Sequence, residues 1–183
     1  MMQQPGGRQP APAHLQPLQD LLNTVDLESE ADELAAARFA AWAGARGVTD
    51  AGEDDRVRLQ RLREDLRAWV GDHAERVPGP VEAAVAHAAL RVEVVDGRLR
   101  TTSATPFGRL VADVVEGVRE AVRVDDWKRL KICSRSSCRW AFYDHSRNNS
   151  SRWCHSTICG AREKSMRAYR KRAGRADERG RPA

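Results

Sequence analysis

Apolar side chains recur at helical spacing in five segments of the first 125 residues. Their stripes are Leu15, Leu18, Leu21, Leu22 and Val25; Leu34, Ala37, Ala41 and Trp42; Leu59, Leu62, Leu66, Trp69, Val70 and His73; Val81, Val85 and Ala89; and Phe107, Leu110, Val111, Val114, Val115, Val118 and Val122. Pro17, Pro80 and Pro106 fall in first turns, where a helix tolerates proline. The pattern therefore predicts a helical domain over residues 15–126.

A β-hairpin is predicted near residues 91–102, between the fourth and fifth helices. Val92 and Val94 alternate with polar residues, and Asp96-Gly97 is the dipeptide that a type I′ turn favours. The predicted fold class is therefore mainly α, of α+β type, with one hairpin in the helical domain.

Both ends of the chain have compositions typical of disordered tails. Residues 1–14 are rich in Pro, Gly and Gln, and residues 174–183 are polar. The N-terminus has no apolar segment of the kind found in signal peptides, and no apolar run approaches the roughly 20 residues that span a bilayer. We therefore expect a cytoplasmic protein with no membrane partner.

All four cysteines lie in two Cys-x4-Cys pairs, Cys133 with Cys138 and Cys154 with Cys159. Two close pairs joined by a loop suit a tetrahedral zinc ion, and a cytoplasmic chain keeps its thiols reduced. Four thiolates leave no open position for water, so the Zn2+ is expected to be structural and the protein not to be an enzyme. The basic residues near the pairs, which could offset the thiolate charge, are Lys131, Arg135, Arg139 and Arg152.

Several alternatives to this zinc site stay open at the level of sequence. The cysteines could hold an iron–sulfur cluster, form disulfides or remain free thiols. His145 or His155 could substitute for a cysteine ligand. The aromatic residues Trp140, Phe142, Tyr143 and Trp153 could form a small core around the metal or stack on nucleic-acid bases.

Charge divides the chain into an acidic body and a basic C-terminal part. Residues 126–183 carry 16 basic and five acidic side chains, whereas the remainder carries 15 and 21. Ser156 can cap a helix that runs to about Ala173 and has a dense positive surface. This charge asymmetry indicates a polyanion partner, and the candidate nucleic-acid contacts are Arg147, Arg152, Arg162, Lys164, Arg167 and Lys171.

Three functions fit these features. The first is DNA binding by a transcription regulator, with RNA as another partner, in which the N-terminal domain responds to an effector or forms a homodimer. The second is a protein-interaction adaptor whose basic module docks an acidic partner. The third is a small-molecule enzyme or binder with a pocket in the helical domain.

The cysteine segment resembles the CGNR zinc finger of bacterial proteins. The matching residues are Phe142, Asp144, Ser146, Arg147, Asn148, Arg152, Trp153, Cys154, Cys159, Gly160, Arg162 and Lys164, together with the cysteine pairs. Ala161 replaces the asparagine of the signature, so that residue's role is not carried over. The resemblance implies a small treble-clef-like zinc finger with four cysteine ligands over residues 127–173, and a DNA-binding role in transcription regulation.

The upstream region resembles the ABATE domain that usually accompanies this finger. Leu22-Asn23-Thr24, Asp32-Glu33-Leu34 and Trp42 carry that resemblance, which implies an ABATE-like domain over residues 15–126.

Other candidate sites have simpler explanations. The acidic residues near the first helices could bind a metal, but helix caps and solvated faces explain them more simply: Asp20, Asp26, Glu28, Glu30, Asp32 and Glu33. His73 and His87 are expected at the core or its rim. The sequence has no P-loop, dinucleotide fingerprint or nucleophile elbow.

Overall fold

The computed structural model describes the backbone of residues 7–180 and the side chains of residues 7–172. Its helices are α1 (Gln16–Leu22), α2 (Ala36–Gly44), α3 (Glu53–Asp72), α4 (Gly79–His87), α5 (Pro106–Arg123) and α6 (Ala161–Gly180). Its strands are β1 (Val25–Asp26), β2 (Ala31–Asp32), β3 (Arg91–Val95), β4 (Arg98–Thr102), β5 (Leu130–Ile132) and β6 (Ala141–Tyr143). Within these described residues, no helix is long and apolar enough to cross a membrane.

The strands form three antiparallel pairs: β1 with β2, β3 with β4, and β5 with β6. The predicted hairpin is confirmed as β3 and β4, in which Val94 lies opposite Leu99. Asp96 and Gly97 have φ values of 51° and 72°, the positive values that a type I′ turn requires. The two-residue pair β1–β2 was not predicted, because strands so short leave no periodic signal.

Sequence periodicity located the buried face of the long helix α3 better than that of the short helix α2. Helix α3 begins with Glu53, Asp54 and Asp55, where the acids face the positive end of the helix dipole. The prediction for α2 was wrong in part, because Ala37 and Ala41 are exposed. Phe39, Trp42 and Ala43 are buried instead. The helix begins only at Ala36, so Leu34 belongs to the preceding segment and does not fix the buried face.

One hydrophobic core joins the helices to the C-terminal segment. Trp127, Leu130 and Ala141 belong to the same buried cluster as the leucines of α1 and α3. The indole rings of Trp69 and Trp127 lie 4.5 Å apart, which ties α3 to the start of that segment. The helical core thus extends across the predicted boundary between residues 126 and 127, while a second buried cluster surrounds the cysteines.

The prediction of a disordered tail over residues 1–14 is wrong for residues 7–14, while residues 1–6 lie outside the described part of the chain. Ala11 is only 2% exposed, and its N–H donates to Gln19 Oε1 over 2.8 Å. The His14 carbonyl packs so tightly on α5 that a Cβ at Gly117 would lie 2.1 Å from its oxygen. Contacts with Gln19, α5 and the finger hold this segment, and composition does not reveal them.

The Gly117→Ala substitution is expected to lower the free energy of unfolding by about 1–3 kcal/mol. The added methyl group forces the N-terminal segment away from α5, and this overpacking outweighs the gain in helix propensity. Gly44→Ala is the matched control, since a Cβ there meets nothing within 4 Å. Urea denaturation followed by circular dichroism measures both. Equal stabilities for the two variants would contradict the close packing.

At the other end, α6 continues to Gly180, beyond the predicted end at Ala173. The backbone of residues 174–180 is thus helical, so the predicted disordered tail is wrong for these residues, and residues 181–183 lie outside the described part of the chain. Gly174 did not end the helix, because one glycine inside a helix costs only about 1 kcal/mol relative to alanine.

Candidate metal centre and basic surface

The four cysteine sulfur atoms converge on one point, and all lie within 4.8 Å of one another. The Sγ atoms of Cys138 and Cys154 are 3.6 Å apart, as are those of Cys154 and Cys159. A tetrahedral zinc ion with Zn–S bonds of about 2.3 Å places its sulfur ligands about 3.8 Å apart. The donor set and its spacing therefore fit a structural zinc site in which all four positions belong to protein.

Each cysteine pair is positioned by local backbone hydrogen bonds. The Cys133 N–H donates to the Trp140 carbonyl over 2.9 Å, and the Cys138 N–H donates to the Arg135 carbonyl over 3.0 Å. This turn joins β5 to β6. Cys159 lies in a single π-helical turn, Ser156–Gly160, that leads directly into α6. The residue at the cap position is His155 and not Ser156, and its side chain makes no capping hydrogen bond.

The thiols compete for negative charge. Hydrogen bonds with Cys138 and Cys154 hold the pKa of the Cys133 thiol well below its ordinary value. Hydrogen bonds with Cys133 and Cys138, together with burial, raise the pKa of the Cys154 thiol. One thiolate thus makes the next one costly to form. A divalent cation between the sulfurs removes this conflict, because it stabilises every thiolate at once.

Two arginines approach the sulfur cluster from outside. Arg8 Nε donates to Cys154 Sγ over 3.3 Å, and its guanidinium lies 5.3 Å from the centre of the Trp140 ring. Arg135, one of the predicted charge-offsetting residues, interacts with Cys159. Arg8 was missed, because it lies 146 residues from Cys154 in a segment of disordered composition.

The alternative histidine ligands lie outside the cluster. His145 Nε2 is 3.1 Å from the Pro10 carbonyl oxygen, and His155 Nδ1 is 2.9 Å from Thr157 Oγ1. The interpretation of the aromatic residues as core is confirmed for Trp140 and Phe142, each only 5% exposed and packed with the cysteines.

Gly160, which is part of the CGNR signature, lies against the ring of Trp153. A Cβ at this position would be 3.1 Å from Trp153 Cδ1. The glycine therefore lets the indole close over the start of α6.

Asp144 organises the loop between the two cysteine pairs. Its side chain is fully buried, and it accepts hydrogen bonds from Lys131 Nζ, the Ser146 N–H and the Ser151 N–H over 2.7–2.9 Å. Burial alone would raise the pKa of this carboxyl group, but the hydrogen bonds outweigh it and hold the pKa well below its usual range. Lys131 therefore neutralises Asp144 and not the thiolates.

Buried polar side chains connect the finger to the helical body. The Asn23 side-chain amide accepts from the Ala141 N–H over 2.8 Å and donates to the Ala141 carbonyl over 2.9 Å. The side chain thus pairs with the edge of β6 in the way that a neighbouring strand would. Arg67 of α3 donates to the Arg139 carbonyl over 2.7 Å and also to the Leu22 carbonyl. Sequence reasoning assigned neither role, because the partners in the finger lie 118 and 72 residues away along the chain.

The predicted nucleic-acid residues are all exposed but do not form one face. With 100° between successive residues of a helix, Lys164, Arg167 and Lys171 share one side of α6 and Arg162 lies on the opposite side. Arg147 lies in the loop organised by Asp144. The guanidinium of Arg152 lies 5.5 Å from the Trp153 ring.

Arg162 contacts the helical body instead of pointing freely into solvent. Its Nη1 donates to Glu28 Oε1 over 2.9 Å, and Arg135 Nη1 donates to the same oxygen. Glu28 lies in the turn between β1 and β2, whereas the sequence suggested a helix cap or a solvated face for this residue.

Among the remaining acidic and histidine candidates, Asp32 and His87 make ordinary structural contacts. Asp32 accepts from Arg63 through both oxygens, over 2.7 and 3.1 Å, and from the Leu34 N–H over 2.8 Å. His87 packs against Phe107 with ring centres 5.9 Å apart. His73 ends α3 in the left-handed conformation.

Comparison with known proteins identifies the C-terminal segment. The family model of the CGNR zinc finger matches residues 129–173. A search of curated proteins found no match to this chain. The family match confirms the resemblance predicted for the cysteine segment, whereas the ABATE-like assignment of the preceding residues stays a prediction.

Proposed function

We propose that this CGNR zinc finger binds DNA and that the protein is a cytoplasmic transcription regulator without enzymatic activity. The observation that carries the proposal is the exposed cationic face of α6, formed by Lys164, Arg167 and Lys171. Cys159 connects the zinc site to the start of this helix, so the three cationic side chains are held in a fixed position relative to the metal. A fixed row of cations attracts the phosphates of a duplex.

The charge of the body supports a defined orientation on DNA. The first 125 residues carry a net negative charge, and the finger segment carries a net positive one. A polyanion attracts the finger and repels the body, which orients the protein during its approach. Exposed Arg147 and Arg152 add two further cations on the finger outside α6.

The decisive experiment measures binding of the full-length, zinc-loaded protein to a labelled random duplex over a range of salt concentrations. We expect log affinity to fall linearly with log salt, by about 0.9 for each phosphate neutralised. The triple substitution Lys164→Ala, Arg167→Ala and Lys171→Ala should reduce that slope by up to about 2.7, since it removes three phosphate contacts.

A second triple variant controls for net charge. The triple variant Arg61→Ala, Arg98→Ala and Arg100→Ala removes three exposed positive charges that belong to the helical body and not to the finger. This control should keep the wild-type slope. Equal loss in both triple variants would show unspecific attraction and contradict the assigned face. Preference for an RNA competitor would indicate that the protein binds RNA instead of DNA. Binding only to an acidic protein would favour the hypothesis of a protein-interaction adaptor.

A further inference from the structure

The contact between the finger and the β1–β2 turn has the form of an occupied anion site. Arg135 from the first cysteine turn and Arg162 from the first turn of α6 both donate to Oε1 of Glu28. The arginine guanidinium group binds phosphate oxygens as well as carboxylate oxygens. Here the occupant is a carboxylate of the same chain.

The arrangement remains accessible to solvent and can therefore exchange its occupant. The side chains of Glu28 and Arg162 are 36% and 54% exposed, while that of Arg135 is 22% exposed. Exposed ion pairs of this kind are each worth only about 0.2–1 kcal/mol. A phosphate of a nearby polyanion can therefore compete for the two guanidinium groups.

We propose that Arg135 and Arg162 form a second phosphate-binding patch, on the opposite side of α6 from Lys164, Arg167 and Lys171, and that Glu28 occupies it in the free protein. This inference rests on the proposed function and adds a regulatory contact to it. Nucleic acid reaches the patch only by displacing Glu28, so the helical body limits the affinity of its own finger.

The geometry also explains how the body could control binding. Glu28 follows β1, and β1 begins two residues after Asn23, whose side chain pairs with Ala141. A shift of this segment therefore moves Glu28 relative to the finger. A change in the helical domain that withdraws the turn would uncover the patch.

The test compares Glu28→Gln with Glu30→Gln in the full-length, zinc-loaded protein. Both variants remove one negative charge from the same turn. Glu28 contacts the arginines, whereas the Glu30 side chain makes no ion pair or hydrogen bond with the described residues. Anisotropy with a random duplex at low salt should show about threefold to tenfold tighter binding for Glu28→Gln. Glu30→Gln should stay within about twofold of wild type.

A double-mutant cycle attributes the effect to the patch. Combining Glu28→Gln with Arg162→Ala should reduce the gain, because one of the two guanidinium groups is then absent. Zinc content and thermal unfolding, measured for each variant, show that the finger is intact.

Each outcome bears on a different claim. If wild type binds DNA but the Glu28 and Glu30 variants behave alike, the occupied patch is refuted while the proposed function stands. If the gain persists undiminished without Arg162, that arginine has no part in it, and the patch as defined here fails. If no zinc-loaded variant binds duplex DNA, the proposed function fails first and this inference with it.

Discussion

Replacing Cys159 by serine is expected to abolish zinc binding and to lower the free energy of unfolding by more than about 4 kcal/mol. Structural zinc contributes on the order of 10 kcal/mol or more in small fingers, and a serine hydroxyl is a poor ligand for it. Cys159 is 0% exposed, so its loss also leaves three thiols crowded in a buried site. Zinc per chain, thermal unfolding and DNA binding should all report the loss.

The effect should extend beyond the finger. Leu130 and Ala141 flank the first cysteine pair and are also buried in the helical core. When the metal leaves, the turn between β5 and β6 loses its anchor, and both residues lose their fixed position. Hydrogen exchange should therefore increase in α1 and α3 as well as around the cysteines.

His155→Ala is the matched control for the cysteine variant. His155 directly precedes the turn that holds Cys159 and lies outside the sulfur cluster, so the variant should keep one zinc per chain and near wild-type stability. The assignment of the ligands would be wrong if Cys159→Ser kept full zinc or if His155→Ala lost it.

The second large effect is expected at Asn23, where alanine should lower the free energy of unfolding by about 2–4 kcal/mol. The substitution removes two hydrogen bonds at once and leaves the Ala141 N–H buried without its partner. Gln19 Nε2 still donates to the Ala141 carbonyl over 3.2 Å, so the oxygen keeps one donor. Urea denaturation of the zinc-loaded protein measures the change.

Asn148→Ala provides the comparison, because Asn148 is an exposed asparagine in the finger. It should change the stability by no more than about 0.5 kcal/mol. If the Asn23 variant were as stable as this control, the side-chain amide would not join the body to β6.

What the sequence predicted well depends on neighbours close along the chain. The stripes of α3 and α5 follow the helical period except at their ends, where His73 lies beyond α3 and Val122 is exposed. Asp96-Gly97 specifies its turn through two positive φ values. The cysteine ligands were likewise predicted from short spacings that place two sulfurs on one turn. In each case the determining interactions lie within about a dozen residues.

What it missed depends on partners far apart in the chain. Arg67 reads as one more charge in a helix, yet it is 4% exposed and bonds to a carbonyl 72 residues away. Residues 7–14 read as a tail, because their order comes from Gln19, α5 and the finger and not from their own composition. Arg162 reads as one more cation for nucleic acid, because its partner Glu28 lies 134 residues away along the chain.

The pair of hydrogen bonds between the Asn23 side chain and the Ala141 backbone couples the helical body to the metal site. Any molecule whose binding to the body strengthens or weakens that pair alters the affinity for zinc by some factor. Zinc must then alter the affinity for that molecule by the same factor, since the two equilibria share one free-energy cycle. Zinc binding and the binding of such a molecule to the helical body are therefore thermodynamically coupled within this chain.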